Sequence, residues 1–153
     1  MTTISEERRV DASPDDVYAV VSDPIATAAL SPECFRVRWL DDPGADPVGS
    51  RFRGFNRHGV FRWATTATVT RAEPGRCFAY DVTLVGVPVS SWSYELEPAE
   101  GGGTLVREST TDRRPRWIAV AAPLTTGVRD RAEHNRRGMR ATLAGLAGLV
   151  EAT

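Results

Sequence analysis

The stretch from Arg129 to Val150, RDRAEHNRRGMRATLAGLAGLV, decides the fold. Val128, Ala132, Asn135, Met139, Thr142, Leu143, Leu146 and Val150 recur at steps of three and four residues. At about 100° per residue they share one stripe. Asp130, Glu133, Arg137, Arg140 and Glu151 fall on the other side. The pattern predicts an amphipathic helix of about six turns. One residue breaks the stripe. Asn135 sits at its centre, where an amide needs a partner or a wet cavity. A strand carbonyl and a bound molecule are equally good partners for it.

Upstream the period changes from four to two. Thr2 to Val10 reads as a first strand. Ser13-Pro14-Asp15-Asp16 then starts a helix: Ser13 caps it, Pro14 is pre-set for the first helical position, and the two acids suit its positive end. Asp23-Pro24 breaks that helix, and Ile25 to Leu30 forms a second short one. Phe35, Val37 and Trp39 alternate on one face of the next strand. Ser50 to Phe55 follows, with Asn56-Arg57-His58-Gly59 as a hairpin turn. Phe61-Trp63-Thr65-Ala67-Val69, Phe78-Tyr80-Val82-Leu84 and Ser90-Trp92-Tyr94-Leu96 mark three further strands, and Thr104 to Asp112 the last. Trp117 to Thr125 has the character of a short helix interrupted by Pro123. Seven strands in a meander, two short helices after the first, and one long closing helix predict an α+β fold. In it an antiparallel sheet wraps around the C-terminal helix.

The totals narrow the function. The 153 residues are enough for one self-supporting domain, expected over residues 1–153. A net charge of −1 gives no general attraction to nucleic acid or to an anionic membrane. No apolar run reaches the roughly 20 residues of a membrane span. The N-terminus lacks the basic-then-apolar order of a secretory signal, so a cytoplasmic location is expected. Cys34 and Cys77 have no metal-ligand spacing, and with only His58 and His134 beside them no metal site and no cofactor are expected. All 19 basic residues are arginine. Without a lysine, Schiff-base chemistry and a Gly-Lys phosphate loop are excluded.

Several local motifs carry a resemblance. They are Ser13-Pro14-Asp15-Asp16-Val17-Tyr18, Ser22-Asp23-Pro24, and Val48-Gly49-Ser50-Arg51-Phe52 with Asn56. Trp92-Ser93-Tyr94-Glu95-Leu96, Gly103-Thr104 and Gly138-Met139-Arg140-Ala141-Thr142-Leu143 complete the set. In that order they resemble the START-like (SRPBCC) superfamily, in its bacterial polyketide cyclase/dehydrase-like branch. The resemblance implies the helix-grip fold and a deep cavity between sheet and helix that takes an apolar or aromatic small molecule. Some relatives cyclise or aromatise polyketides, and many others only bind or carry lipids.

The alternating faces turned inward carry Trp39, Phe52, Phe61, Trp63, Phe78, Tyr80, Trp92 and Tyr94. With Asn135 and Met139 they are the candidate ligand-binding residues. One helix cannot close-pack the concave face of seven strands, which favours a cavity among these rings. Arg107 and Glu108 are adjacent in the last strand, so one faces inward unless a bulge intervenes. Val106 and Thr110 as inner partners put Glu108 inside; Leu105 and Ser109 put Arg107 there. The first register is preferred. Glu108, Tyr80 and Tyr94 are then the acid/base candidates, followed by Asn135 and His134. His58 reads as an exposed turn residue, His134 as a surface residue beside the stripe, and the arginines around the final helix as a solvated face. The leading expectation is a binder of a hydrophobic or aromatic small molecule. The runner-up is a polyketide cyclase, aromatase or dehydratase, and a regulatory protein acting through a partner surface is a third class.

Overall fold

The computed structural model describes residues 2–151; residues 1, 152 and 153 of the expected domain lie outside them. The element order is β1 (Thr3–Val10), α1 (Pro14–Val21), α2 (Pro24–Ala28), β2 (Cys34–Trp39), β3 (Arg51–His58) and β4 (Phe61–Glu73). Then come β5 (Cys77–Leu84), β6 (Val87–Pro98), β7 (Thr104–Asp112), α3 (Arg116–Thr126) and α4 (Arg131–Glu151). The strands form one antiparallel sheet in the order β1-β7-β6-β5-β4-β3-β2. This is the helix-grip arrangement. No helix among the described residues is long and apolar enough to cross a membrane.

The helix starts follow local chemistry. Ser13 Oγ accepts from the Asp16 amide, and Asp23 Oδ1 accepts from the Ile25 and Ala26 amides. At α4 the Asp130 carboxylate accepts from the Glu133 amide, so the helix begins at Arg131, two residues after the start of the predicted stretch at Arg129. Pro123 does not interrupt α3. The helix runs on to Thr126 and stops at Gly127, whose φ of 73° lies in the left-handed region that favours glycine. β3 continues to His58, which pairs with Phe61 across a two-residue turn, so Asn56 and Arg57 are strand residues rather than turn residues. In β2 a bulge between Cys34 and Arg36 leaves Phe35 45% exposed, out of line with Val37 and Trp39.

Packing divides α4 in two. Its C-terminal half buries Leu143, Leu146, Ala147 and Val150 against Val10, Val17, Val21, Phe78 and Val106. That half closes a dry core with β1, α1 and the middle strands. The N-terminal half, from Arg131 to Met139, stands over open space instead, and α3 covers the same end of the sheet. The apolar stripe read from the sequence therefore does two jobs along its length.

Candidate functional site

Between α3, the N-terminal half of α4 and the concave sheet face lies a cavity of about 1140 Å³. Phe52, Trp63, Tyr80, Trp92 and Tyr94 turn toward it from β3, β4, β5 and β6, and Asn135 and Met139 from α4. Exposed Val85, in the β5–β6 turn, and exposed Trp117, at the start of α3, also line it. Val85 holds φ at 48°, a conformation that a β-branched residue rarely adopts.

Three of the rings expected in the lining lie elsewhere. Phe78 is fully buried in the dry core, where its ring is tilted against Tyr80 at 6.2 Å. Trp39 stands behind Phe52, edge-on at 5.3 Å, and Phe52 in turn meets Tyr80 at 5.1 Å. Phe61 lies beneath the α3–α4 junction. A Cβ on Gly127 would come within 2.6 Å of its ring, so the glycine there is required by close approach as well as by φ. Strand parity gave the correct side of the sheet for these three but not their position along it.

The register of β7 is that of Val106, Glu108 and Thr110 facing inward. Arg107 points out and pairs with Glu7 and Glu95. Glu108 is 4% exposed, lines the cavity, and lies directly across from Tyr94. Its Oε1 and the Thr110 hydroxyl are buried without a hydrogen-bond partner among the described residues. Burial pushes the Glu108 carboxyl up to about 8, while hydrogen bonding with the Tyr94 hydroxyl pulls the other way. Both tyrosine hydroxyls are themselves driven upward by burial, then by the nearby Glu108 charge. At neutral pH this part of the cavity holds three neutral hydroxyl-bearing acids.

A second polar group sits at the α4 end. Glu33, just before β2, accepts from Arg131 Nη1 at 2.9 Å and meets His134 Nε2 at 2.6 Å. The His58 ring packs edge-on against His134 at 5.1 Å, and the Arg131 guanidinium lies 5.8 Å above the Trp63 ring. Burial raises the Glu33 pKa, but the His134 hydrogen bond and the Arg131 charge outweigh it and hold the carboxyl below its ordinary value. His134 and Arg131 are therefore cavity-lining and half-buried rather than surface residues, and His58 is half-buried at a strand end. Glu33 was missed by sequence reasoning. Nothing within its own stretch, Ser31-Pro32-Glu33-Cys34, marks it, because its partners are 98 and 101 residues away.

Asn135 is half-buried and lines the cavity, and among the described residues its amide has no hydrogen-bond partner. Asn135→Leu is accordingly expected to leave the melting temperature unchanged or raise it. Affinity for an oxygen-bearing ligand should weaken by about one hydrogen bond, roughly 0.5–1.5 kcal/mol. Paired thermal melts and binding titrations check this; lower stability with unaltered affinity would count against it.

The model of a family described as polyketide cyclase/dehydrase and lipid transport matches residues 1–151. A Polyketide_cyc-like protein from Corynebacterium glutamicum is 31% identical, with 98% of this chain and 87% of that chain covered and a TM-score of 0.53. Protein CV1439 from Chromobacterium violaceum is 23% identical over 99% of both chains, with a TM-score of 0.72. The di-domain ARO/CYC StfQ of the steffimycin biosynthetic pathway shares the fold at 15% identity and a TM-score of 0.73. It matches 98% of this chain, which spans 50% of that one. No match was found among proteins with curated descriptions.

Proposed function

Since the chain belongs to the family of polyketide cyclases, dehydrases and lipid-transport proteins, we propose that it binds a hydrophobic or aromatic small molecule between its sheet and α4. The observation that carries this reading is the cavity of about 1140 Å³ with aromatic side chains on several strands turned into it. A site of that size exceeds the roughly 300–1,000 Å³ usual for drug-sized ligands, so it has room for several fused rings or a long chain. Phe52, Trp63, Tyr80, Trp92 and Tyr94 supply apolar contact, Met139 adapts to ligand shape, and Asn135 offers both a donor and an acceptor.

Titration with the neutral fluorescent probe N-phenylnaphthylamine tests the reading. Saturable binding at one site is expected, with Trp92→Ala weakening it about tenfold or more while the fold persists. A probe signal that never saturates, or that is indifferent to Trp92→Ala, would sink it. Native mass spectrometry of protein taken from its own host would then give the mass of the resident ligand.

A second reading, catalysis as a cyclase, aromatase or dehydratase, is favoured by one specific feature. Glu108 is a buried carboxyl on the cavity surface that holds its proton up to about pH 8, as a general acid near neutrality must. In this reading Glu108 gives its proton to a departing hydroxyl, which leaves as water, and the resulting carboxylate takes the adjacent C–H proton as the C=C bond forms, with Tyr94 and Tyr80 supplying further hydrogen bonds.

A further inference from the structure

The charged side chains around the cavity are unevenly distributed. Arg131 is taken by Glu33 at 2.9 Å, and Arg114 by Asp112 at 2.7 Å. Arg136 and Arg140 of α4 are held by Glu6, the residue of β1 that lies next to Glu108 in register, at 3.5 and 3.1 Å. Arg62 and Arg129 line the cavity only at positions exposed to solvent. Among the described residues no cation acts on Glu108, whose environment is set by burial and by Tyr94. Across the sheet, β6 and β5 bring the Tyr94 and Tyr80 hydroxyls close to it. A neutral carboxyl has one O–H donor, and Thr110 two positions along the same strand face has another. Both have an oxygen buried without a partner among the described residues.

Resting on the binding reading above, we propose that Glu108 and Thr110 form a subsite on the inner face of β7 that takes an uncharged oxygen of the ligand and excludes a carboxylate. Two hydroxyl donors side by side suit a ketone, which has two lone pairs. An enol or phenol suits them equally, donating to one and accepting from the other. A carboxylate placed there would lose its hydration and meet no countercharge, so an anionic group on the ligand belongs at the rim with Arg62 or Arg129. The class selected is an oxygenated aromatic or polyketone, in preference to a fatty acid bound head-inward.

Three probes of similar size separate the possibilities: acetylnaphthalene, ethylnaphthalene and naphthoate, titrated against the whole protein. At about pH 6 the ketone should bind roughly three- to tenfold more tightly than the hydrocarbon, the effect of about one hydrogen bond, with naphthoate weakest. Thr110→Val should reduce that preference and Glu108→Leu abolish it. At about pH 10 the wild type should lose the preference as Glu108 ionises, whereas Glu108→Gln keeps an N–H donor and should show it at both pH values. Ketone and hydrocarbon binding equally to the wild type, or a preference that survives in a folded Glu108→Leu variant, overturns the subsite and leaves the binding reading standing. If none of the three probes binds, both fall.

Discussion

Glu108→Gln is expected to raise the melting temperature of the protein above about pH 8 while changing it little near pH 5. The folded carboxyl titrates at about 8 and its ordinary value is 4.5. Between those values the native state keeps a proton that the unfolded chain has released. Stability from this group is therefore fully present below 4.5, drains away as pH rises toward 8, and is flat beyond. A shift of about 3.5 (8 − 4.5) corresponds to roughly 3–5 kcal/mol. For a chain of this length that is on the order of ten degrees. Glutamine fills nearly the same volume and does not titrate, so its melting curve should lack this descent. Parallel pH profiles for the two proteins would show that Glu108 is solvated. Glu33 acts in the opposite sense. Its folded value is depressed, so its contribution is present above its ordinary value and is lost as pH falls through the folded one. One carboxylate limits the stable range from the alkaline side and the other from the acid side.

Phe78→Ala should cost about 3–5 kcal/mol of stability and leave ligand affinity nearly untouched. The ring is completely inaccessible, in the same cluster as Val10, Val17, Val106 and Leu143, and its removal leaves a void that its neighbours cannot close. It does not line the cavity. Trp92→Ala should show the reverse balance, because Trp92 is half-exposed to the cavity already. Urea unfolding gives the first quantity and probe titration the second. A loss below about 1 kcal/mol for Phe78→Ala, or an affinity change as large as that of Trp92→Ala, would remove the distinction drawn between core and cavity along the inner face.

How far the sequence was legible depends on the range of the interaction. The α4 stripe, the caps at Ser13 and Asp23, and the alternation along the strands are all set by residues within a few positions of one another. They could be read directly. Parity also placed Glu108 inward once Val106 and Thr110 were taken as its companions. Parity does not say how far along a strand the core ends and the cavity begins, so it groups Trp39, Phe61 and Phe78 with rings that do line it. Nor does it anticipate bulges. Between Val82 and Thr83 the pairing partner jumps from Ser90 to Pro88, and Val87, Val89 and Ser90 all come to the cavity. The Glu33–Arg131–His134 group joins the start of β2 to the start of α4, a relation that exists only after folding.

The edge position of β1 bears on how the molecule comes together. Strands β2 to β6 each pair with the next in the chain, so β2 to β7 can zip up one hairpin after another. β1 instead pairs with β7, bringing Thr3 opposite Thr111 across 108 residues. Of the seven strands, β1 is separated from its partner by the longest stretch of chain, with all the others between them. Until it docks, the outer edge of β7 is open to any other extended chain, and α4 lacks one of the strands it packs against. The closing step is a long-range search, of the kind that sets folding in the range of milliseconds to seconds. The helix that grips the sheet has its full set of strand contacts only once β1 and β7 have paired.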